Sequence, residues 1–198
     1  MVEPDALAWK QYPQHHQWFN KLYFSEQMGY NCGPNGLAPE ESNWYCVRPV
    51  MNLAGMGVGA RKQWINAGDN RSVEPGYFWC EWFEGDHVSV TYRWRSGWVP
   101  ISAYEGFHDG ENLSRFAYWM RTDPLHLRGF VQFHDVELLN VEFIGGRPIE
   151  VHFRDTPDPD GNLIVPIWAD MEVPDDMIEH FDDADGFLEI PRLGFVVK

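Results

Sequence analysis

Apolar and polar residues alternate with a period of two over much of this chain, and only short stretches carry the wider spacing of a helix. Leu7, Trp18, Leu22 and Tyr23 recur among polar residues, which predicts a helix from about Gln14 to Met28, ended by Gly29. Gly29, Gly33, Pro34, Gly36 and Pro39 punctuate the next stretch as loop. Trp44 to Val50 then reads as a strand running into a glycine-rich segment, and further strands are predicted at about 77–84, 87–95 and 98–104. Asn112 is placed to cap a short helix carrying Leu113, Phe116, Ala117 and Met120, stopped by Thr122-Asp123-Pro124. Strands near 137–144 and 148–154 flank Gly145-Gly146, and the apolar run Leu163 to Trp168 is expected to pack on the body. The fold class this predicts is α+β, a mostly antiparallel sheet with few helices. One domain spans 1–198: an N-terminal helix and loop (1–47), a core (48–154) and an acidic C-terminal section (155–198).

The pair of strands around Gly145-Gly146 carries the sharpest pattern. Val141, Phe143, Ile149, Val151 and Phe153 are apolar, whereas Asn140, Glu142, Glu150, His152 and Arg154 are polar. Successive side chains point to opposite faces of a strand, so each set shares a face. For the apolar sets to meet, Glu142 must oppose Glu150, which calls for an odd-length loop. A two-residue Gly-Gly turn would instead pair Glu142 with Ile149 and scatter the acids. Two carboxylates directly opposite each other are unfavourable unless a cation or a proton intervenes.

Composition narrows the class. Ten Trp, eight Tyr and thirteen Phe supply ample apolar surface for a core. No apolar run reaches membrane-span length and the first ten residues lack a signal-peptide apolar stretch, so a soluble cytoplasmic protein without membrane contact is expected. The net charge of −15 is uneven: residues 1–154 hold 13 basic and 18 acidic side chains, residues 155–198 hold 2 and 12. Direct nucleic-acid binding needs clustered Lys and Arg and is disfavoured. The acidic section reads as solvated surface, exposed from Asp170 to Asp185, or as a docking patch for a basic protein. Cys32, Cys46 and Cys80 include no Cys-x-x-Cys pair and cannot close a disulfide framework, which favours a reducing compartment and disfavours structural zinc. No His-Glu-x-x-His, Gly-x-Ser-x-Gly or complete phosphate-loop signature is present.

Three segments, in order, resemble a known family. They are Val47-Arg48-Pro49 followed by Gly55-Met56-Gly57-Val58-Gly59, then Cys80-Glu81-Trp82-Phe83-Glu84-Gly85-Asp86-His87, then Asn140-Val141-Glu142 with Ile149-Glu150-Val151-His152-Phe153-Arg154. Together they resemble the nucleotide-binding core of ATP-grasp carboxylate–amine ligases over roughly residues 44–154. More loosely, the whole looks like short proteins of tailed phages, which implies the host cytoplasm as its location. The resemblance implies that Arg48 meets the ATP phosphates under a loop of Gly55, Gly57 and Gly59. It implies that Glu81, Trp82 and Phe83 flank the adenine, and that His87 stands where a ribose-binding acid is usual. It further implies Glu142, Glu150 and His152 as ligands of Mg²⁺ or Mn²⁺, and Arg48 and Arg154 as catalytic cations. Glycines suit close approach to phosphate, and hard carboxylate oxygens suit magnesium. Departures from the family are Arg48 for Lys, His152 for Asn, and the lack of a second phosphate-binding Lys, since Lys10 and Lys21 match no motif; Arg61 and Lys62 are the nearest substitutes. The implied function is an ATP- and Mg-dependent ligase that joins a small-molecule or peptide carboxylate to an amine or thiol. The alternative is a non-catalytic phage protein that binds a basic host factor through its acidic surface.

Overall fold

Aromatic and β-branched residues dominate the segments that pair, and the chain is accordingly built from twelve strands, two short α-helices and two 3₁₀ helices among the described residues. The computed structural model describes residues 4–51, 57–108, 110, 112–174, 178, 180–181 and 190–198. A small sheet has the order β1-β4-β2-β3, formed by Cys32–Pro34 (β1), Asn43–Pro49 (β2), Arg61–Ile65 (β3) and Tyr77–Glu81 (β4). A large sheet has the order β11-β12-β10-β7-β6-β5-β8-β9. Its strands are His87–Trp94 (β5), Trp98–His108 (β6), Phe116–Arg121 (β7), Leu138–Ile144 (β8), Arg147–His152 (β9), Leu163–Trp168 (β10), His180–Phe181 (β11) and Arg192–Val197 (β12). All pairings are antiparallel. The α+β class with a mostly antiparallel sheet is therefore the observed one.

One face of the large sheet carries Val88, Val90, Tyr92, Leu139, Val141, Phe143 and Val151, all buried against Trp18, Phe19, Phe24 and Phe133. The small sheet has its own core of Tyr45, Val47, Ile65, Val73 and Trp79. Two predicted helices come out differently. The stretch 14–28 is broken into a 3₁₀ helix, Pro13–Phe19, and an α-helix, Lys21–Gln27 (α2), preceded by a further α-helix, Pro4–Gln11 (α1). Asn20 causes the break: its backbone is extended (φ −81°, ψ 108°) and its side chain caps α2 by accepting from Tyr23 N at 2.9 Å. The predicted helix after Asn112 is strand β7. Phe116, Tyr118 and Trp119 are aromatic, and the segment finds partners on both sides in β6 and β10. Of the stretch Asp170 to Asp185 expected to be exposed, Asp170, Met171, Glu172 and Pro174 are exposed, Val173 is half-buried and Ile178 is buried, while 175–177, 179 and 182–185 lie outside the described residues. No helix among the described residues is long and apolar enough to cross a membrane.

The turn between β8 and β9 settles the register. Ile144 pairs with Arg147 across Gly145-Gly146, a two-residue turn with φ of 56° and 76°. A bulge between Glu142 and Phe143 then admits one extra residue of β9, so Phe143 faces Pro148 while Glu142 faces Glu150. The short turn and the opposed acids thus coexist, and both carboxylates share a face. Gly145 also backs onto the crossing between the two sheets: a Cβ there would collide with the Glu84 carbonyl oxygen, whereas one at Gly146 would meet nothing within 4 Å. Gly145→Ala should therefore cost about 3 kcal/mol and Gly146→Ala about 1 kcal/mol, read as the difference in urea unfolding free energy. Equal losses would mean that the contact with Glu84 does not limit the position.

Candidate functional site

Where the small sheet meets edge strand β9, the chain concentrates buried charge. Glu150 receives Lys21 Nζ at 2.7 Å, and Arg48 NH1 lies 3.9 Å from the same carboxylate. His152 Nε2 lies 3.6 Å from both Glu142 Oε1 and Glu150 Oε1, and its Nδ1 faces Asp5 Oδ2 at 3.0 Å. Glu142 also meets His87 Nε2 at 3.2 Å. Arg154 grips Asp5 with two bonds, Nε to Oδ1 at 2.7 Å and NH2 to Oδ2 at 3.0 Å. Asp5, Lys21, Arg48 and His152 are each at most 8 % exposed. A small cleft lined by Asp5, Trp18, Phe19, Lys21, Glu150 and His152 opens here, with room for about one water molecule.

The local backbone explains how these groups meet. Asn20 starts α2 so that Lys21 donates its N–H to the Val50 carbonyl at 2.8 Å, just past β2, while its side chain reaches β9. Arg48 stands one residue before the end of β2 on the face shared with Phe78, over whose ring its guanidinium lies, and donates NH2 to the Ile149 carbonyl at 2.9 Å. Tyr30 Oη donates to the neighbouring Pro148 carbonyl at 2.9 Å. An edge strand with free carbonyls is thereby closed by side chains.

Charge fixes protonation. Burial works against a charged His152, but Asp5 outweighs it; Arg154 opposes and Glu150 assists, and the imidazole is pushed up to about 9. Burial would raise the Asp5 carboxyl, yet His152 and Arg154 hold it well below the usual range. Glu142 is likewise held low by His152 and His87 against the effect of burial. The acid pair that the sequence could tolerate only with an intervening cation has two: the Lys21 ammonium and the His152 imidazolium.

Of the residues singled out in the sequence, Arg48, His87, Glu142, Glu150 and His152 come together. Arg154 is next to them but is taken up by Asp5. Gly55 lies outside the described residues. Gly57 and Gly59 have φ of 61° and 79°, and their loop docks on the turn that precedes β7, the Gly57 carbonyl accepting from Ser114 Oγ at 3.1 Å. A Cβ on Gly57 would lie 3.3 Å from the Leu113 carbonyl oxygen, and one on Gly59 would lie 2.7 Å from Tyr77 Oη, so protein already fills the close approach at both. Glu81 sits on the opposite face of the small sheet from Arg48; its N–H is donated to the Asn31 carbonyl at 2.8 Å and its carboxylate faces Arg147 at 3.4 Å. Trp82 lies under Lys62, and Phe83 packs against Tyr30 and Arg147. Lys21 and Asp5 are the members that motif reading misses. The available signal was a single cation, Lys21, inside the aromatic stretch from Trp18 to Phe24.

A magnesium ion does not fit the acid pair as it stands. Glu150 is already bonded to an ammonium, His152 offers a protonated ring, and among the described residues no group of three His, Cys, Asp or Glu side chains is arranged to hold a metal. An anion fits the neighbourhood better: Arg48 Nε is buried without a hydrogen-bond partner, as is His87 Nδ1.

No family model matches this chain, and no curated protein matches it. Among solved structures it is similar to one described as a "putative ATP-grasp superfamily protein" from Archaeoglobus fulgidus, with 14% identity and a TM-score of 0.43. The match covers 71% of this chain and 47% of that one, so the chain spans about half the length of that neighbour. At that level of similarity any functional reading stands on the geometry alone.

Removing the Glu150 charge should strand a buried ammonium. Glu150→Gln is expected to destabilise by about 3 kcal/mol in chemical denaturation, although it separates two opposed acids, because Lys21 loses its partner. A neutral or stabilising result would show that carboxylate repulsion outweighs that ion pair. The pH dependence follows from His152, whose folded pKa lies above its ordinary value of 6.5. The stability it contributes is fully present below pH 6.5 and is lost as pH rises through about 9. The melting temperature should decline across that window and flatten in His152→Gln; an equal decline in both proteins would assign it to other groups.

Proposed function

We propose that this chain is a nucleotide-binding protein of ATP-grasp type in which the phosphates of ATP meet Arg48 beside β9. The observation that carries the reading is Arg48, a buried guanidinium that crosses from the small sheet to the large one while its Nε has no acceptor. A phosphate oxygen would satisfy that donor with a charge-assisted bond. The reaction class that the sequence resemblance implies is carboxylate–amine or carboxylate–thiol ligation, in which ATP phosphorylates a carboxylate and the nucleophile displaces phosphate. In this chain Arg48 would orient the phosphates, and the positive charge near them would come from Lys21 and His152. Mg²⁺ or Mn²⁺ would reach such a site with the nucleotide, not through Glu142 and Glu150 as they are now paired.

A second reading has its own support. The acid pair is satisfied internally by Lys21 and His152, an arrangement suited to binding a ligand without transferring a phosphoryl group. The acidic surface would then serve a basic partner protein, phage or host.

The test is thermal. ATP at a hundredfold excess over its Kd stabilises a protein that binds it only when folded by about 2.7 kcal/mol. ATP should raise the melting temperature of the wild type without added metal, and Arg48→Met should remove most of that shift while Arg48→Lys retains part of it. ADP release on addition of carboxylate and amine substrates would favour the ligase over the binding protein. Absence of any shift, with ATP and Mg²⁺ in millimolar excess, would overturn nucleotide binding.

A further inference from the structure

The chain has three cysteines, and the small sheet lines up all three. Cys32 of β1 stands opposite Cys80 of β4, and Cys80 stands opposite Cys46 of β2, on one face of the sheet. The outer two lie two strand spacings apart, about 9.5 Å, which exceeds what one disulfide spans and prevents one ion from gathering all three thiols. Adjacent thiols are another matter. In an antiparallel pair, opposed residues alternate between hydrogen-bonded positions, with Cα atoms about 5.5 Å apart, and non-hydrogen-bonded ones, about 4.5 Å apart with closer side chains.

The ladder bonds say which pair is which. Glu81 N donates to the Asn31 carbonyl at 2.8 Å and Asn35 N to the Tyr77 carbonyl at 3.3 Å, so the Asn31/Glu81 and Asn35/Tyr77 positions are hydrogen-bonded. By alternation Cys32/Cys80 is a non-hydrogen-bonded pair. On the other side, Val50 N donates to the Gly76 carbonyl at 2.9 Å, which makes Cys46/Cys80, four residues along each strand, a hydrogen-bonded pair. Disulfide geometry needs Cβ atoms about 3.5–4.5 Å apart, and only the closer pair approaches that. Cys80 is buried at 3 % exposure beside the Ser25 hydroxyl, whereas Cys32 is half-buried and gives a reagent its way in.

We propose that Cys32 and Cys80 are a disulfide-forming pair, with Cys46 left as a thiol. The oxidant class is a small disulfide such as oxidised glutathione. The Cys32 thiolate attacks it, releasing one glutathione thiolate and forming a mixed disulfide. The Cys80 thiolate then attacks the Cys32 sulfur, forming the protein disulfide and releasing the second glutathione. Two electrons pass from the two cysteines to the oxidant, and their two protons go to solvent and leaving thiolate. Burial pushes the Cys32 thiol up to about 11 and the Cys80 thiol up to about 12, so the reaction is slow at neutral pH and quickens in base. The product would tie the segment following α2, whose first residue is Lys21, to the strand beside Arg48.

Incubation of the folded protein with oxidised glutathione at about pH 9, then alkylation and digestion with trypsin plus a Glu-specific protease, separates the three cysteines for mass spectrometry. The expected product links the Cys32 peptide to the Cys80 peptide, with Cys46 alkylated, and its melting temperature rises by several degrees until dithiothreitol reverses it. Cys46→Ser should retain the link and the shift, and Cys32→Ser, at the more exposed end, should lose both. A Cys46–Cys80 link, glutathione adducts alone, or three alkylated thiols after prolonged oxidation would each overturn the proposal.

Discussion

Lys21 and Glu150 form the contact on which the arrangement of the two sheets turns. The Lys21 backbone N–H is bound to Val50 beside the small sheet, and its ammonium is bound to Glu150 on the edge of the large one. Placing two carboxylates opposite each other inside a fold is unfavourable by itself, and desolvation makes it worse. Here the bulge in β9 creates that opposition and the N-terminal segment relieves it. Lys21 and His152 supply the positive charge, while Asp5 and Arg154 complete the pairing around His152. The helices α1 and α2 therefore do more than cover apolar surface. Without them β9 would carry uncompensated acids, and the side-chain bonds that close its edge would lose part of their support.

Much of this was legible in the sequence because strand alternation is a local property. The two faces of residues 140–154, and the convergence of Glu142 with Glu150, followed from the period of two. The bulge did not, because it is chosen by the competition between a Gly-Gly turn and the burial of Val141 against Val151. The helix expected after Asn112 became β7 for a related reason: Phe116, Ala117 and Met120 fit a helical stripe, but two neighbouring strands offered the backbone partners. Strand β3 passed unread because Arg61-Lys62-Gln63-Trp64-Ile65 is mostly polar, and its place depends on pairing with β2. Lys21 and Asp5 were invisible as site residues since their partners lie 129 and 147 positions away in the chain.

The family resemblance implies one site for Arg48 and the acids, and in the fold Arg48 lies 3.9 Å from Glu150, which faces Glu142. Motif position and chemistry nevertheless part company here. A carboxylate at a motif position is a metal ligand only if its lone pairs are free, and those of Glu150 are directed to an ammonium. A glycine at a loop position admits phosphate only if nothing else fills the space, and Leu113 and Tyr77 fill it at Gly57 and Gly59. Arg48 is different, since it retains an unused donor after its contacts with Ile149 and Phe78.

Charge balance sets Arg48 apart from its neighbours. Around β9 the described side chains contribute Lys21, Arg48, Arg154 and protonated His152 against Asp5, Glu142 and Glu150, an excess of one positive charge in a chain whose formal net charge is −15. Buried charge is retained only when it is paired, because desolvation costs several kcal/mol per ion. The surplus cannot be assigned to Arg154, which is bidentate on Asp5, or to Lys21, which is bonded to Glu150. It falls on Arg48, whose nearest carboxylate oxygen is 3.9 Å away. The one cation in excess is thus the Arg48 guanidinium, held inside a chain that is acidic overall by the same pairings that keep the neighbouring acids in place.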